Sequence, residues 1–593
     1  MIPSFKITIT ILLGMVFISH IPSTAQTVSL TEKKKALVQR ILEEKRHLPA
    51  DTSSTIKGAK TTASDDRITA TGPGVEEAEI SIIYDPVDPN KLILSFMHIT
   101  GSAFTCEFPI YYSSDAGATW TQSSFSASAI RNSDFPSTGS NSAGDPTFAW
   151  DKTGRVYFAW IYLSDTVGFS YFTLNWAYSD DNGHTWSVAP KHFIGQGKLS
   201  SLTSLPLPYK DGITDREWLA VDNSTGPNQG NVYCSFLNVP SDTTLPPCEA
   251  IKVLKPAIDT FGPIVNAYTG FIQFGNVEVS NTGVLHVSFA DVDSMQVKHT
   301  SSSDGGVSYT PSELISPAIN LFPSHGGPFV VHNRENSAVN LSSDGPDGTG
   351  NNVHVVWSDF PGGTVTSYYS NSIDGGLTWS APLDLNGLFG GQITFMPTVA
   401  ADGNKVTISF TGIDGTGESN YYQFTSIDNG VTFSSPLLLS SASTYYASFP
   451  GASSAGGVFF GDYNRSVRTT CTAYATWEDG RDYTDPKVFF ARTNYCTLGI
   501  KEITSVTSDV QLISVFPNPA TDHITLRINS SKTQPETLVL SDLNGKQVIN
   551  QQNNLKNGSQ DILFPLHGLA AGTYMLSLTD ADGIEATRGI TVK

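Results

Sequence analysis

From residue 76 to residue 497 the chain alternates short apolar and aromatic runs with clusters of Gly, Asp, Asn and Ser, a period-2 texture that predicts strands rather than helices. One unit reads Asp145-Pro146-Thr147-Phe148-Ala149-Trp150, a turn at Lys152 to Gly154, then Val156-Tyr157-Phe158-Ala159-Trp160. Another runs Val353-His354-Val355-Val356-Trp357 and then Tyr368-Tyr369-Ser370; a third has Thr398-Val399-Ala400, a turn at Asp402-Gly403, and Val406 to Phe410. Two weaker units open at Glu217-Trp218-Leu219-Ala220-Val221 and at Gly461-Asp462-Tyr463. Seven such units align, each a small sheet with apolar faces and open edges that neighbours must cover. Two other textures flank them. Near the start, Leu37, Ile41 and Leu48 share a helical face over Thr31 to Leu48, and Ser29 with Glu32 has capping-box spacing. Near the end, Ile524, Leu526 and Ile528 alternate as in a half-buried strand.

Five units close on one phrase. Ser113-x-Asp115-x-Gly117-x-Thr119-Trp120 returns at Ser179, Asp181, Gly183, Thr185 and Trp186. It recurs at Ser302, Asp304, Gly306, Ser308 and Tyr309, at Ser372, Asp374, Gly376, Thr378 and Trp379, and at Ser426, Asp428, Gly430, Thr432 and Phe433. Glycine permits a positive φ, the carboxylate folds back on backbone N–H groups, and the aromatic enters the next strand. These residues resemble the Asp-box repeat of sialidase-like β-propellers. The resemblance implies an all-β, seven-bladed propeller by the count of units, against six blades in catalytic sialidases. It also implies that Asp115, Asp181, Asp304, Asp374 and Asp428 are structural, on the face away from the active site.

The text changes near Ile513. Val515-Phe516-Pro517-Asn518-Pro519-Ala520, Leu540-Ser541-Asp542-Leu543-Asn544-Gly545-Lys546 and Gly572-Thr573-Tyr574-Met575-Leu576 together resemble the C-terminal sorting domain of the bacterial type IX secretion system. That resemblance implies a small Ig-like β-sandwich over 512–593 that engages the secretion machinery and is removed after export. The expected organisation is a signal peptide (1–25), a charged helix and linker (26–75), the propeller (76–497), a linker (498–511) and the sorting domain (512–593).

Lys6, the apolar stretch Ile7 to Ile18 and small residues at Ser23-Thr24-Ala25 fit a secretory signal cleaved before Gln26. No other stretch reads as a transmembrane helix. A formal charge of -20 argues against nucleic acid as a partner. Among five cysteines, Cys234 with Cys248 and Cys471 with Cys496 are close enough in sequence for local disulfides, leaving Cys106 alone. No spacing suggests zinc, and no cofactor is expected. Asp344, Asp347 and Asn351 form an acidic Gly-rich loop of a kind that holds calcium, though without EF-hand spacing.

In a propeller, residues at the start of each unit's first strand converge on one mouth of the axial channel. The candidates there are Asp145, Asp215, Arg216, Glu217, Asp462 and Tyr463, with Arg465 beside them and Glu478, Asp479 and Arg481 in a loop reaching the same rim. Carboxylates, arginines and a tyrosine of this kind bind sugar hydroxyls or supply acid–base pairs; they also form inter-blade ion pairs. Sialidase chemistry needs three arginines, a tyrosine nucleophile with a glutamate partner, and an aspartate. Arg67-Ile68-Thr69 lacks the proline of the family's Arg-Ile-Pro motif, and Arg334-Glu335 is the nearest second arginine. A polysaccharide lyase would use His, Tyr and Arg, and His286, His299, His325, His332 and His354 are available. The expected partner is an extracellular glycan, processed by a glycosidase or lyase; the alternatives are a non-catalytic carbohydrate- or protein-binding propeller and a structural surface protein without a working rim.

Overall fold

The computed structural model describes residues 29–44, 65–69, 75–100, 105–125, 141–166, 169–187, 193–200, 206–208, 210–256, 258, 260–318, 339–361, 364–413, 417–444, 461–481, 485–495, 510–518, 520–541, 546–580 and 583–593. The signal segment, most of both linkers, His325, His332, Arg334, Glu335, Cys496 and the side chain of Cys106 lie outside them. The chain divides into two units, residues 1–470 with 474–492, and residues 471–473 with 493–593.

The all-β expectation holds in both. Among the described residues the larger unit carries seven antiparallel sheets, six of four strands and one of five. Six start from an inner strand: Val75–Tyr84, Asn141–Trp150, Ile213–Val221, Ile272–Val279, Asn340–Ser343 and Ile393–Asp402. The seventh joins Ser466–Arg468, Thr472–Asp479 and Lys487–Asn494 to Asp66–Arg67, so its outer strand comes from upstream of the first sheet. Each inner strand packs on the next in chain order, and Ser466–Arg468 packs back on Val75–Tyr84. Burial follows: Phe148, Phe158, Trp160, Val355, Trp357, Phe410 and Trp477 are all sealed between sheets.

The five Ser-x-Asp-x-Gly turns share one geometry. In the first, Thr119 N and Oγ1 donate to the two Asp115 oxygens at 2.8 and 2.7 Å, while Ser113 Oγ donates to Asp115 and accepts from Gly117 N. Every glycine sits at positive φ, and its bare face receives a side chain from the preceding sheet. A Cβ there would lie 2.7 Å from Ile93 at Gly183, 3.2 Å from Val253 at Gly306, 2.1 Å from the His299 ring at Gly376 and 1.7 Å from Tyr369 Oη at Gly430. At Gly117 it would lie 2.4 Å from Phe490, a seventh-sheet residue meeting the first sheet's turn. The glycines are therefore sockets between sheets as well as turn formers.

Three histidines belong to this sheet packing. His286 Nδ1 lies 3.1 Å from His299 Nε2, and His354 Nδ1 lies 2.8 Å from Tyr369 Oη. Burial pushes His286 down to about 4, His354 to about 3, and His299 well below its usual value, where the neighbouring His286 adds to the effect. A histidine with a depressed folded pKa leaves the unfolded chain to bind the extra proton between the folded value and about 6.5. Stability is therefore expected to fall as pH drops from 6.5 toward 4, by about 2–3 kcal/mol for each fully coupled ring. Asp115 and Asp304, held down to about 2 chiefly by the Thr119 and Ser308 hydroxyls, withdraw their contribution only below about 3.8. Urea midpoints measured from pH 7 to 4.5 should show the first limb, and His354→Gln should make it shallower while His286 and His299 keep the rest; a pH-independent midpoint would contradict the assignment.

The helix Leu30–Glu44 starts where Glu32 N donates to Ser29 Oγ at 3.2 Å. Leu37 and Val38 are buried against a core that includes Ile213, Leu237 and Phe271. Lys34 is fully buried, its ammonium donating to the carbonyls of Pro240, Asp242 and Leu245 at 2.7 to 3.0 Å. These contacts fasten the helix to the third and fourth sheets.

One expected disulfide does not form: Cys234 and Cys248 are both free and buried. Their strands pair with Cys234 opposite Lys252 and Cys248 opposite Asn238, four positions out of step. That offset separates the two by roughly 13 Å along the ladder, against the ~7 Å limit for a bridge. Cys471 is disulfide-bonded. The Gly-rich loop is closed on itself: the Asp344 carboxylate accepts from Gly350 N, Asn352 Nδ2 and Thr349 Oγ1 at 3.0 to 3.2 Å.

The smaller unit stacks a three-stranded sheet (Val510–Phe516, His523–Ser530, Gly558–Pro565) on a four-stranded one (Gln534–Ser541, Gln547–Leu555, Gly572–Asp580, Gly583–Val592). Ile524, Leu526 and Ile528 face Leu538, Leu540, Leu576 and Leu578 across one core, as the alternation predicts.

Candidate functional site

The inner strands are irregular at one level. Five of them break register with a bulge between Ala78 and Ser81, Gly144 and Thr147, Asp215 and Trp218, Gln273 and Asn276, and Phe395 and Thr398. At each bulge a non-glycine residue sits in the left-handed region: Glu79, Asp145, Arg216, Phe274 and Met396, with φ between 49° and 59°. Gly461, at φ 69°, precedes Asp462 in the segment leading to the seventh inner strand. Each such residue costs about 1 kcal/mol or more, so five in one ring mark a level at which surrounding contacts override local preference. Third strands run parallel to first strands and end in the aspartate turns. The bulges lie toward the opposite, N-terminal ends of the inner strands, on the side where the sequence places the site.

A relay of hydrogen bonds links the bulged residues. Glu79 N donates to Glu478 Oε1 at 2.7 Å, Asp145 N to Glu79 Oε2 at 3.3 Å, and Arg216 N to Asp145 Oδ2 at 3.2 Å. The chain thus runs from the seventh sheet through the first and second to the third. The Arg216 guanidinium lies 4.2 Å above the Phe274 ring of the fourth sheet and donates to Asp462 at 2.6 Å, with Asp215 at 3.8 Å. Arg216 is 5% exposed, Asp462 3%, and Asp215, Glu217 and Asp145 1% or less. Tyr463 meets Trp218 edge to face at 5.7 Å. Burial, then the charges of Asp145, Glu79, Glu217 and Asp462, push the Tyr463 phenol well above its usual pKa. At neutral pH it is a proton donor and not a phenoxide. A cavity of about 30 Å³ opens among Arg216, Trp218, Asn276, Tyr463 and Asn464.

The structure gathers Asp145, Asp215, Arg216, Glu217, Asp462, Tyr463 and Glu478, and sends Asp479 and Arg481 elsewhere. Successive strand residues point to opposite faces, so Asp479 turns away from its neighbour Glu478. It accepts from Trp477 Nε1 and Arg481 Nε at 2.9 Å, and Arg481 continues to Asp65 at 2.5 Å and Ser441 Oγ at 2.9 Å. That pair is a lock between the seventh sheet and its neighbours. Arg465 belongs to the other end of the channel, a cavity of about 190 Å³ on the turn side that also receives Tyr84, Trp150, Glu278 and Arg468. There it lies over the Trp218 ring at 5.0 Å, its pKa lowered by burial. Glu79, Trp218, Asn276 and Asn464 were not among the sequence candidates. Asp145-Pro146, Phe274-Gly275 and Met396-Pro397 at matching positions carried the bulge signal, because proline and glycine inside a strand mark one.

Comparison with known proteins bears mainly on the C-terminus. Residues 514–593 match the family model described as a secretion system C-terminal sorting domain. That domain marks the chain for type IX export, to the cell surface or beyond. Among the described residues no helix is long and apolar enough to cross a membrane. No curated protein matches the sequence. Solved structures similar to it include the Hadza microbial sialidase Hz136, at 14% identity over 71% of this chain and 66% of that one with a TM-score of 0.39. The GH93 α-L-arabinofuranosidase of Fusarium graminearum with arabinobiose follows at 12% identity, 73% and 97% coverage and a TM-score of 0.38. A Trypanosoma rangeli sialidase with the inhibitor DANA stands at 10% identity, 90% and 89% coverage and a TM-score of 0.35. Likenesses this distant assign no chemistry to the cluster.

Proposed function

We propose that this chain is an exported, seven-bladed propeller that processes extracellular glycans at the mouth opposite its aspartate turns. The observation that carries the reading is the convergence of Arg216, Glu217, Asp462 and Tyr463 on one small cavity beside the strained bulges. Buried carboxylates beside a neutral phenol and a guanidinium are what acid–base cleavage of a glycosidic bond uses. Glu217 and Asp462 are the acid–base candidates, and Tyr463 a hydrogen-bond donor to the sugar. The lyase reading loses support because His286, His299 and His354 are buried in the sheet packing, two of them against each other and one on Tyr369. Passage through the type IX machinery by way of residues 512–593 accounts for delivery.

A second reading, binding without turnover, is favoured by one feature. Glu79, Asp145 and Glu478 each accept a backbone N–H from the neighbouring sheet, which ties part of the acid set to the ring itself. Incubating the exported protein with a panel of neutral, amino-substituted, sialylated and uronate-containing oligosaccharides decides between them. Cleavage that Glu217→Gln lowers by about a hundredfold or more at unchanged melting temperature supports the enzyme. Binding without cleavage supports the second reading, and neither defeats both.

A further inference from the structure

We infer that the turn-side end of the axial channel is a second binding site, which takes a neutral, hydroxyl-bearing ligand such as a sugar residue. It is separate from the mouth proposed above and does not depend on turnover there. The cavity at this end, of about 190 Å³, is walled by the C-terminal ends of all seven inner strands, from Ile83 and Tyr84 in the first sheet to Ser466–Arg468 in the seventh. Three of its side chains carry chemistry that the fold leaves unused. Tyr84, Glu278 and Arg465 are each partly exposed, so they reach the cavity instead of closing behind its wall. Among the described residues, neither the Tyr84 phenol nor the Glu278 carboxylate has a hydrogen bond. The Arg465 guanidinium uses one of its donors, on the Phe148 carbonyl at 3.3 Å, and leaves the others to the cavity.

The arrangement of charge narrows the ligand. Burial lowers the Arg465 pKa and raises that of Glu278, and each is partly offset by the other's charge. The two therefore lie within electrostatic reach, yet no ion pair joins them. Keeping a desolvated acid and base apart costs more than closing them on each other. What bridges such a gap must accept from the guanidinium and donate to the carboxylate, and a hydroxyl does both. Ionic ligands fit less well. Arg465 and Arg468 line the cavity together and oppose a cation. Glu278 opposes an anion, as do Asp347 and Asp402, which with burial raise the Tyr84 pKa and share the Thr470 hydroxyl. A singly charged ligand gains at one wall and loses at the other, whereas vicinal hydroxyls pair with both. Ile83, Val221 and Val279 add partly exposed apolar wall for the C–H face of a sugar ring.

The test is a ligand-observed NMR titration of the full chain. Glucose, galactose and arabinose serve as neutral probes, and glucuronate, glucosamine and serine as the anion, cation and zwitterion. A neutral sugar should bind more tightly than any charged probe. Arg465→Gln and Glu278→Gln, checked for unchanged melting temperatures, should each weaken it about tenfold, the loss of one charge-assisted hydrogen bond. Preference for a charged probe overturns the inference, and so does tighter binding of glucuronate to Glu278→Gln or of glucosamine to Arg465→Gln. Binding that neither variant alters, or no binding of any neutral sugar, overturns it as well. On the unaltered chain, a diazirine-bearing analogue of the sugar that binds should label peptides containing Tyr84 or Glu278. Labelling confined to residues 215–217 and 462–464 would put the sugar at the opposite mouth, ending this inference while supporting the glycan reading.

Discussion

Gly376→Ala should destabilise the protein far more than Gly375→Ala, although the two residues are adjacent and both have positive φ, +87° and +75°. At Gly375 nothing lies within 4 Å of an added Cβ, so alanine brings only the cost of the left-handed region, about 1 kcal/mol. At Gly376 the same methyl would stand 2.1 Å from a His299 ring atom. That ring cannot retreat, because His286 holds it at 3.1 Å on one side and Trp379 meets it edge to face at 5.3 Å. Overpacking adds about 1–3 kcal/mol to the backbone cost, so a total near 3–4 kcal/mol is expected. Gly430→Ala repeats the experiment one sheet on, where the methyl would displace Tyr369 Oη from His354. Urea unfolding of the four proteins, wild type included, measures the difference. Equal losses at 375 and 376 would mean that the turns act alone and that sheet-to-sheet insertion contributes nothing.

Much of this architecture was legible in the chain because local chemistry writes it there. The Ser-x-Asp-x-Gly turns have the same hydrogen bonds in all five copies, since a short carboxylate and a positive-φ residue leave the backbone little choice. Alternation in Ile524, Leu526 and Ile528 gave the face of the C-terminal sheet for the same reason. What could not be read is long-range. The glycine sockets need the preceding sheet, and nothing within a turn says that His299 or Phe490 will fill one. Strand register was equally hidden: Cys234 and Cys248 are close in sequence, yet the hairpin places them four steps apart. The candidate site fell between these cases. Asp215, Arg216, Asp462 and Tyr463 stand out as charged or aromatic residues beside strand starts. Asp479 and Arg481 look identical to them in sequence, and only the side on which the strand presents each residue separates Glu478 from Asp479. Asn276 and Asn464, which line the small cavity, gave no signal at all, because a lone asparagine in or beside a strand looks like any other polar residue.

Arg216→Met is expected to cost about 3–5 kcal/mol of stability, the penalty of stranding a buried carboxylate, and Arg216→Met with Asp462→Leu to recover most of it. The methionine itself is not the difficulty, since Met396 occupies the corresponding bulge of the sixth sheet at φ 49°. What the single variant removes is the 2.6 Å contact to Asp462 and the guanidinium over Phe274, leaving Asp462 3% exposed with its main counter-charge gone. The double variant replaces the pair with apolar groups of similar size, an exchange that is often neutral because two desolvation costs disappear together. The backbone staple from residue 216 N to Asp145 survives in both. Thermal melts of the two variants and of Asp462→Leu alone close the cycle, and glycan turnover read on the same samples separates the two meanings of the cluster. A double variant that is stable and still active makes the ion pair a fastening between the third and seventh sheets. One that is stable and inactive makes Arg216 and Asp462 part of the chemistry, kept in place at a cost in stability because the reaction requires charge where packing alone would prefer none.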